Sequence, residues 1–157
     1  VGEYARYGVS GDLGVHILDL ASFLSGDVRS VAAALGIAVK ARMKLDSDEY
    51  APVETDDWCH FLARFDGGAS GTFTISRAAY GNTNQICVDI YGDRGALRFD
   101  LNHSDRLEVY SGGIQPGSAI EKMETVVVPD EYRAGQMQCF VDLLWDRTST
   151  YRRLPTA

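Results

Sequence analysis

The chain predicts an α+β fold: an open, mostly antiparallel sheet with helices packed on one face. Three observations carry that class. A helical apolar stripe opens the chain, and apolar residues alternate through several later segments. The third is the short, glycine-containing connections between those segments, which are too brief for parallel crossovers and enforce antiparallel neighbours.

Gly11 to Leu24 reads as the first helix, with Leu13, Ile17, Leu20 and Leu24 as its stripe. Ser10 is placed to cap its start and Gly26 to end it. Val31 to Val39 alternates Val31, Ala33, Leu35, Ile37 and Val39 with Ala32, Ala34, Gly36 and Ala38, which is a strand with one bulky and one very small face. Arg42 to Asp56 is polar, contains Pro52, and reads as a loop. Asp57 to Phe65 is a strand with Cys59, Phe61, Ala63 and Phe65 on one side and Trp58, His60, Leu62 and Arg64 on the other. Asp66-Gly67-Gly68 turns it into Ala69 to Ser76. Further strands are predicted at Asn84–Tyr91, Ala96–Phe99, Leu107–Tyr110 and Met123–Val128, and a second helix at Gln136–Trp145. No repeat or internal boundary interrupts residues 1–157, so one domain is predicted.

Composition excludes several classes. With 45% apolar and 24% charged residues, 157 residues can bury a core and do not match a disordered chain. A net charge of −7 argues against nucleic acid or an anionic membrane as partner. No run of about 18 apolar residues is present to span a bilayer. Cys59, Cys87 and Cys139 are an odd, scattered set, which predicts reduced core thiols and a cytoplasmic setting rather than a disulfide framework. The chain opens on Val1 and closes on Leu154-Pro155-Thr156-Ala157, which predicts that both ends continue into a longer protein.

The first helix is where chemistry is concentrated. Asp12, His16 and Asp19 recur at i, i+4, i+7 and fall within an arc of about 60°. The rest of the helix is apolar enough to predict burial, and a buried polar stripe needs partners, solvent or a cleft to face. A carboxylate one turn from an imidazole can orient it for moving a proton on or off a hydroxyl or carbonyl. The plainer alternative leaves Asp12 serving the helix end and His16 as a satisfied core histidine. Metal ligation would need a third ligand, which His60 or His103 could supply only through folding, and no metal site is predicted. Gly8, Gly11 and Gly14 do not match the spacing of a dinucleotide-binding loop.

The segment Gly11-Asp12-Leu13-Gly14-Val15-His16-Ile17-Leu18-Asp19-Leu20 resembles the G-D-x-G-x-H-x-x-D-L signature of the glucose–fructose oxidoreductase, inositol dehydrogenase and rhizopine catabolism (Gfo/Idh/MocA) family. Thr55-Asp56-Asp57, the Phe61 to Thr72 hairpin, Ser76-Arg77 and Ile90 to Asp100 follow in the same order. The resemblance covers residues 8 to 111 and, more weakly, 135 to 157, and it is to the family's C-terminal domain.

That resemblance implies an open-sheet domain like the C-terminal domain of glyceraldehyde-3-phosphate dehydrogenase. It implies the substrate-binding half of an NAD(P)-dependent oxidoreductase acting on a sugar, polyol or related hydroxyl or carbonyl compound. His16 then corresponds to the histidine that helps proton transfer and Asp12 to the acid that binds substrate and orients the site. Asp19 corresponds to a position that binds substrate or simply anchors the helix, and Arg77 to one that lines the cleft, the alternative being a solvated arginine at a strand end. The resemblance implies that NAD or NADP is bound mainly by an N-terminal Rossmann domain, which also carries the family's lysine; that domain, and a final helix that packs back onto it after Ala157, are expected outside this sequence, and the isolated chain is expected to be inactive. The free sheet face implies a homo-oligomer, a dimer or tetramer. The alternative is a non-catalytic interaction module of the same fold, docking through Trp58, His60, Leu62 and Arg64.

Overall fold

The computed structural model describes residues 7–112 and 122–133. The predicted helix at Gln136–Trp145 and Cys139 lie outside them. The chain divides into two compact units, Val1–Gly81 and Asn82–Ala157.

The first unit opens on α1 (Val9–Asp12) and α2 (Gly14–Ser25), followed by β1 (Val28–Gly36), β2 (Ala41–Met43), β3 (Tyr50–Pro52), β4 (Trp58–Phe65) and β5 (Ser70–Ser76). All pairings are antiparallel: β1, β4 and β5 form one sheet with β4 central, and β2 pairs with β3. The alternation of β4 is as its sequence predicts. Cys59, Phe61, Ala63 and Phe65 are buried, while His60, Leu62 and Arg64 are exposed. Phe61 stacks on Phe73 of β5 with ring centroids 4.5 Å apart. Val9, Ala21 and Ile75 complete this core, with Ile17, Leu18, Val28 and Phe73 packed against it.

Four local expectations change. The single helix is two, divided at Leu13, and the first begins at Val9 rather than Gly11. Ser10 lies inside α1 instead of capping it, and Gly8 holds the cap position. The strand predicted at Val31–Val39 runs from Val28 to Gly36. Its end has a clear cause: the Ala38 and Val39 N–H groups both donate to the Asp57 carboxylate at 3.0 Å, which removes them from the ladder. The loop predicted from Arg42 to Asp56 contains the β2–β3 hairpin, in which Ala41 opposes Pro52 at the edge a proline tolerates.

The largest correction concerns α2. Its buried stripe is Gly14, Ile17, Leu18 and Ala21, not the leucine series. Small residues permit the close approach: a Cβ on Gly14 would stand 3.2 Å from Ile75 Cδ1. Gly26 ends the helix at φ 87°, a conformation costly for any residue with a Cβ. Leu13, Val15, Phe23 and Leu24 are left between 42% and 68% exposed, so the helix is only half buried.

The second unit is a four-stranded antiparallel meander of β6 (Cys87–Gly92), β7 (Gly95–Asp100), β8 (Arg106–Ser111) and β9 (Glu124–Val127). Asp93 and Arg94 form the two-residue turn between β6 and β7. Arg98 crosses the sheet between Asp89, at 2.6 Å, and Glu108, at 3.4 Å, and its basicity is raised chiefly by the Asp89 hydrogen bond. Cys87 is exposed here rather than a core residue, and accepts a hydrogen bond from Gln85 at 3.3 Å.

Candidate functional site

Helical geometry places the acid–histidine–acid stripe. At about 100° per residue, His16 and Asp19 of α2 lie opposite the Gly14–Ile17–Leu18–Ala21 stripe that meets the sheet, and Asp12 is the last residue of α1. All three side chains are on the exposed face. The buried polar stripe that the sequence predicts is therefore an outward one, because Gly14, Ile17, Leu18 and Ala21 rather than Leu13 and Leu24 face the core. Large apolar side chains, Leu13, Val15, Phe23 and Leu24, flank it and are also exposed.

Arg77 follows the end of β5. Its guanidinium Nη2 donates to Asp12 Oδ2 at 2.6 Å, with the two side chains 37% and 61% exposed. The structure thus joins two of the four predicted site residues. His16 and Asp19 share a face of α2, three residues apart, and among the described residues neither side chain has a hydrogen-bonding partner.

Sequence reasoning gave no role to Asp56 and Asp57. The Asp56 backbone carbonyl accepts from Val9 N–H at 2.9 Å. Its carboxylate accepts from Ser10 N–H at 2.8 Å and Ser10 Oγ–H at 3.0 Å. The Asp57 carboxyl is buried and accepts from Val39, Ala38 and Arg42. The Val39 amide first, with Ala38 and the nearby arginines, holds its pKa below the ordinary carboxylate value against the opposing effect of burial. The signal available in sequence was a pair of adjacent acids immediately before an alternating strand.

The histidines outside α2 do not join this site. His60 Nδ1 is 3.2 Å from Thr74 Oγ1 and its ring packs 5.0 Å from that of Trp58. His103 Nδ1 is 3.4 Å from an Arg106 nitrogen. Among the described residues no three His, Cys, Asp or Glu side chains cluster as metal ligands. Gly8, Gly11 and Gly14 face Asp56, Tyr7 and Ile75, so they serve close packing rather than a phosphate cradle. The described residues do not fit a dinucleotide, since every strand pairing is antiparallel and no glycine-rich strand–helix turn is present.

Residues 3–98 match the GFO/IDH/MocA C-terminal domain, and the chain belongs to that family. Levoglucosan dehydrogenase of Pseudarthrobacter phenanthrenivorans is 29% identical over 117 residues, which is 67% of this chain and 30% of the relative. An oxidoreductase domain protein from Kribbella flavida is 36% identical with a TM-score of 0.68, covering 77% of this chain and 33% of that one. A levoglucosan dehydrogenase structure in complex with NADH and L-sorbose is 30% identical with a TM-score of 0.68, covering 78% and 31%. The chain spans about a third of the length of these relatives.

Proposed function

We propose that this chain is the substrate-binding half of an NAD(P)-dependent oxidoreductase acting on a sugar, polyol or related hydroxyl or carbonyl compound. The observation that carries the reading is the outward stripe of Asp12, His16 and Asp19, with Arg77 held against Asp12, on a helix face rimmed by exposed apolar residues. Exposed apolar side chains around polar groups suit a face that another domain covers. NAD or NADP is carried in this reading by a Rossmann domain outside these residues, as the relatives' length supports.

His16 exchanges the proton of the reacting hydroxyl, for which an imidazole is suited near neutral pH. Asp12, oriented by Arg77, accepts a hydrogen bond from a second hydroxyl, and Asp19 extends the same acceptor surface. Because Asp12 already compensates the charge of Arg77, the stripe favours an uncharged polyhydroxy compound over a sugar acid. The similar levoglucosan dehydrogenase structure is a complex with NADH and L-sorbose, which supports that class.

The open face of β4, with His60, Leu62 and Arg64 exposed beside Trp58, supports a homo-oligomer in the same reading. Gly36 of β1 lies opposite Trp58, and a Cβ there would overlap the indole, so the ring packs over a position that only glycine leaves open. The non-catalytic interaction module would use the same face without the stripe. The deciding experiment is an assay of the two-domain polypeptide with NAD⁺ and NADP⁺ against a panel of neutral sugars, polyols and sugar acids. Nicotinamide reduction with neutral substrates is expected. Its absence across the panel, in folded protein that binds cofactor, would overturn the catalytic reading.

A further inference from the structure

α1 contains four residues and has no capping side chain of its own. Such a short turn is not stable by itself. The donors of its first two residues are nevertheless satisfied, and by one distant residue. Val9 N–H goes to the Asp56 carbonyl, and Ser10 N–H and Oγ–H go to the two Asp56 carboxylate oxygens. Gly8 leaves the space: a Cβ there would overlap Asp56 Oδ1.

The next residue anchors the other half of the ion pair. The Asp57 carbonyl accepts from Arg77 N–H at 3.0 Å, and Asp57 N–H donates to the Gly36 carbonyl at 2.8 Å. The Asp57 carboxylate ties down Ala38, Val39 and Arg42. Two consecutive residues therefore hold the turn that ends in Asp12 and the strand end that carries Arg77. Neither has a hydrogen bond to the side chains of Asp12, His16, Asp19 or Arg77 among the described residues.

We propose that Asp56 and Asp57 are positioning residues that set the Asp12–Arg77 geometry from behind, Asp56 through α1 and Asp57 through the backbone of Arg77. This rests on the reading of Asp12 and Arg77 as substrate-binding groups. His16 is outside the clip, because α2 is held separately by Gly14, Ile17, Leu18 and Ala21 against the sheet.

The asymmetry supplies the test. In the two-domain polypeptide, Asp56→Ala should raise KM about tenfold, the scale of one hydrogen bond to substrate, and change kcat far less. Asp56→Asn should restore KM, since its carbonyl still accepts from Ser10 N–H and its amide can donate to the Ser10 hydroxyl. Gly8→Ala should reproduce the loss by displacing the Asp56 carboxylate. Amide hydrogen exchange separates this from the activity itself. In Asp56→Ala, protection should fall at Val9 to Asp12 and persist in α2. Unchanged KM together with unchanged exchange at Val9 to Asp12 would overturn the proposal. If the parent shows no nicotinamide-linked turnover, the functional reading fails, and exchange alone decides the clip.

Discussion

Arg77 Nη2 lies 2.6 Å from Asp12 Oδ2, although 65 positions separate the two residues. The contact joins the end of β5 to the end of α1 on the exposed side of the first unit. Solvent reaches both groups, so the pair is weakly stabilising by its exposure, and its geometry points to orientation rather than stability.

That distinction is measurable. Arg77→Gln and Asp12→Asn should each leave Tm within about 3 °C of the parent, since exposed pairs contribute about 0–1 kcal/mol. In the two-domain polypeptide each should raise KM about tenfold. A large fall in Tm with unchanged KM would assign the pair to stability instead.

His16→Ala should lower kcat about 100-fold or more if the imidazole moves the substrate proton. Its side chain is exposed, so thermal unfolding should be nearly unaffected. Near-parental turnover in a folded variant would remove His16 from the proton path.

Asp57 predicts an acid-dependent stability. Its pKa is lower in the folded chain than in the unfolded one, so the unfolded chain binds more protons in the acid range. The stabilisation is complete above the ordinary carboxylate pKa and is lost as pH falls through the lowered folded value. Asp57→Asn must set an amide NH2 against a donor from which the carboxylate now accepts a hydrogen bond. It should lower Tm by several degrees at neutral pH, and the gap to the parent should narrow below about pH 4. Thermal melts across that range check it, and a gap that widens in acid would contradict it.

Leu62→Glu on the open face of β4 should shift the protein to a smaller species in sedimentation while leaving its melting transition intact. Leu62 is 44% exposed in the chain, so the change disturbs no core. An unchanged sedimentation coefficient would exclude this face from assembly.

The thiols should divide by burial. Cys59 is 4% exposed, and burial first, then the charge of Asp56, raises its pKa. Cys87 is exposed. Peptide mapping after brief alkylation of native protein should find Cys87 modified and Cys59 protected, with Cys59 reacting only on unfolding.

Much of the fold was legible where the side-chain period was strong. In β4 every second residue from Cys59 to Phe65 is apolar, so its faces could be read directly, and the turn at Asp66-Gly67-Gly68 set its partner. In α2 the same reasoning misplaced the buried face. Leucines dominate the apolar count, but contact with the sheet selects the narrow residues, Gly14 and Ala21, and size alone does not announce that selection. The end of β1 was likewise hidden, because the Asp57 carboxylate that captures the Ala38 and Val39 amides comes from 18 or more positions away.

The sequence by itself determined the α+β class, the antiparallel hairpins, the family signature and the spacing that puts His16 and Asp19 on one face of α2. Those properties depend on local period and turn chemistry, which neighbouring residues carry. The tertiary structure decided that this face points outward, that Arg77 meets Asp12, and that Asp56 and Asp57 hold both from behind. Each of these is a contact between residues remote in the chain, and only packing of the helix on the sheet brings them within hydrogen-bonding distance.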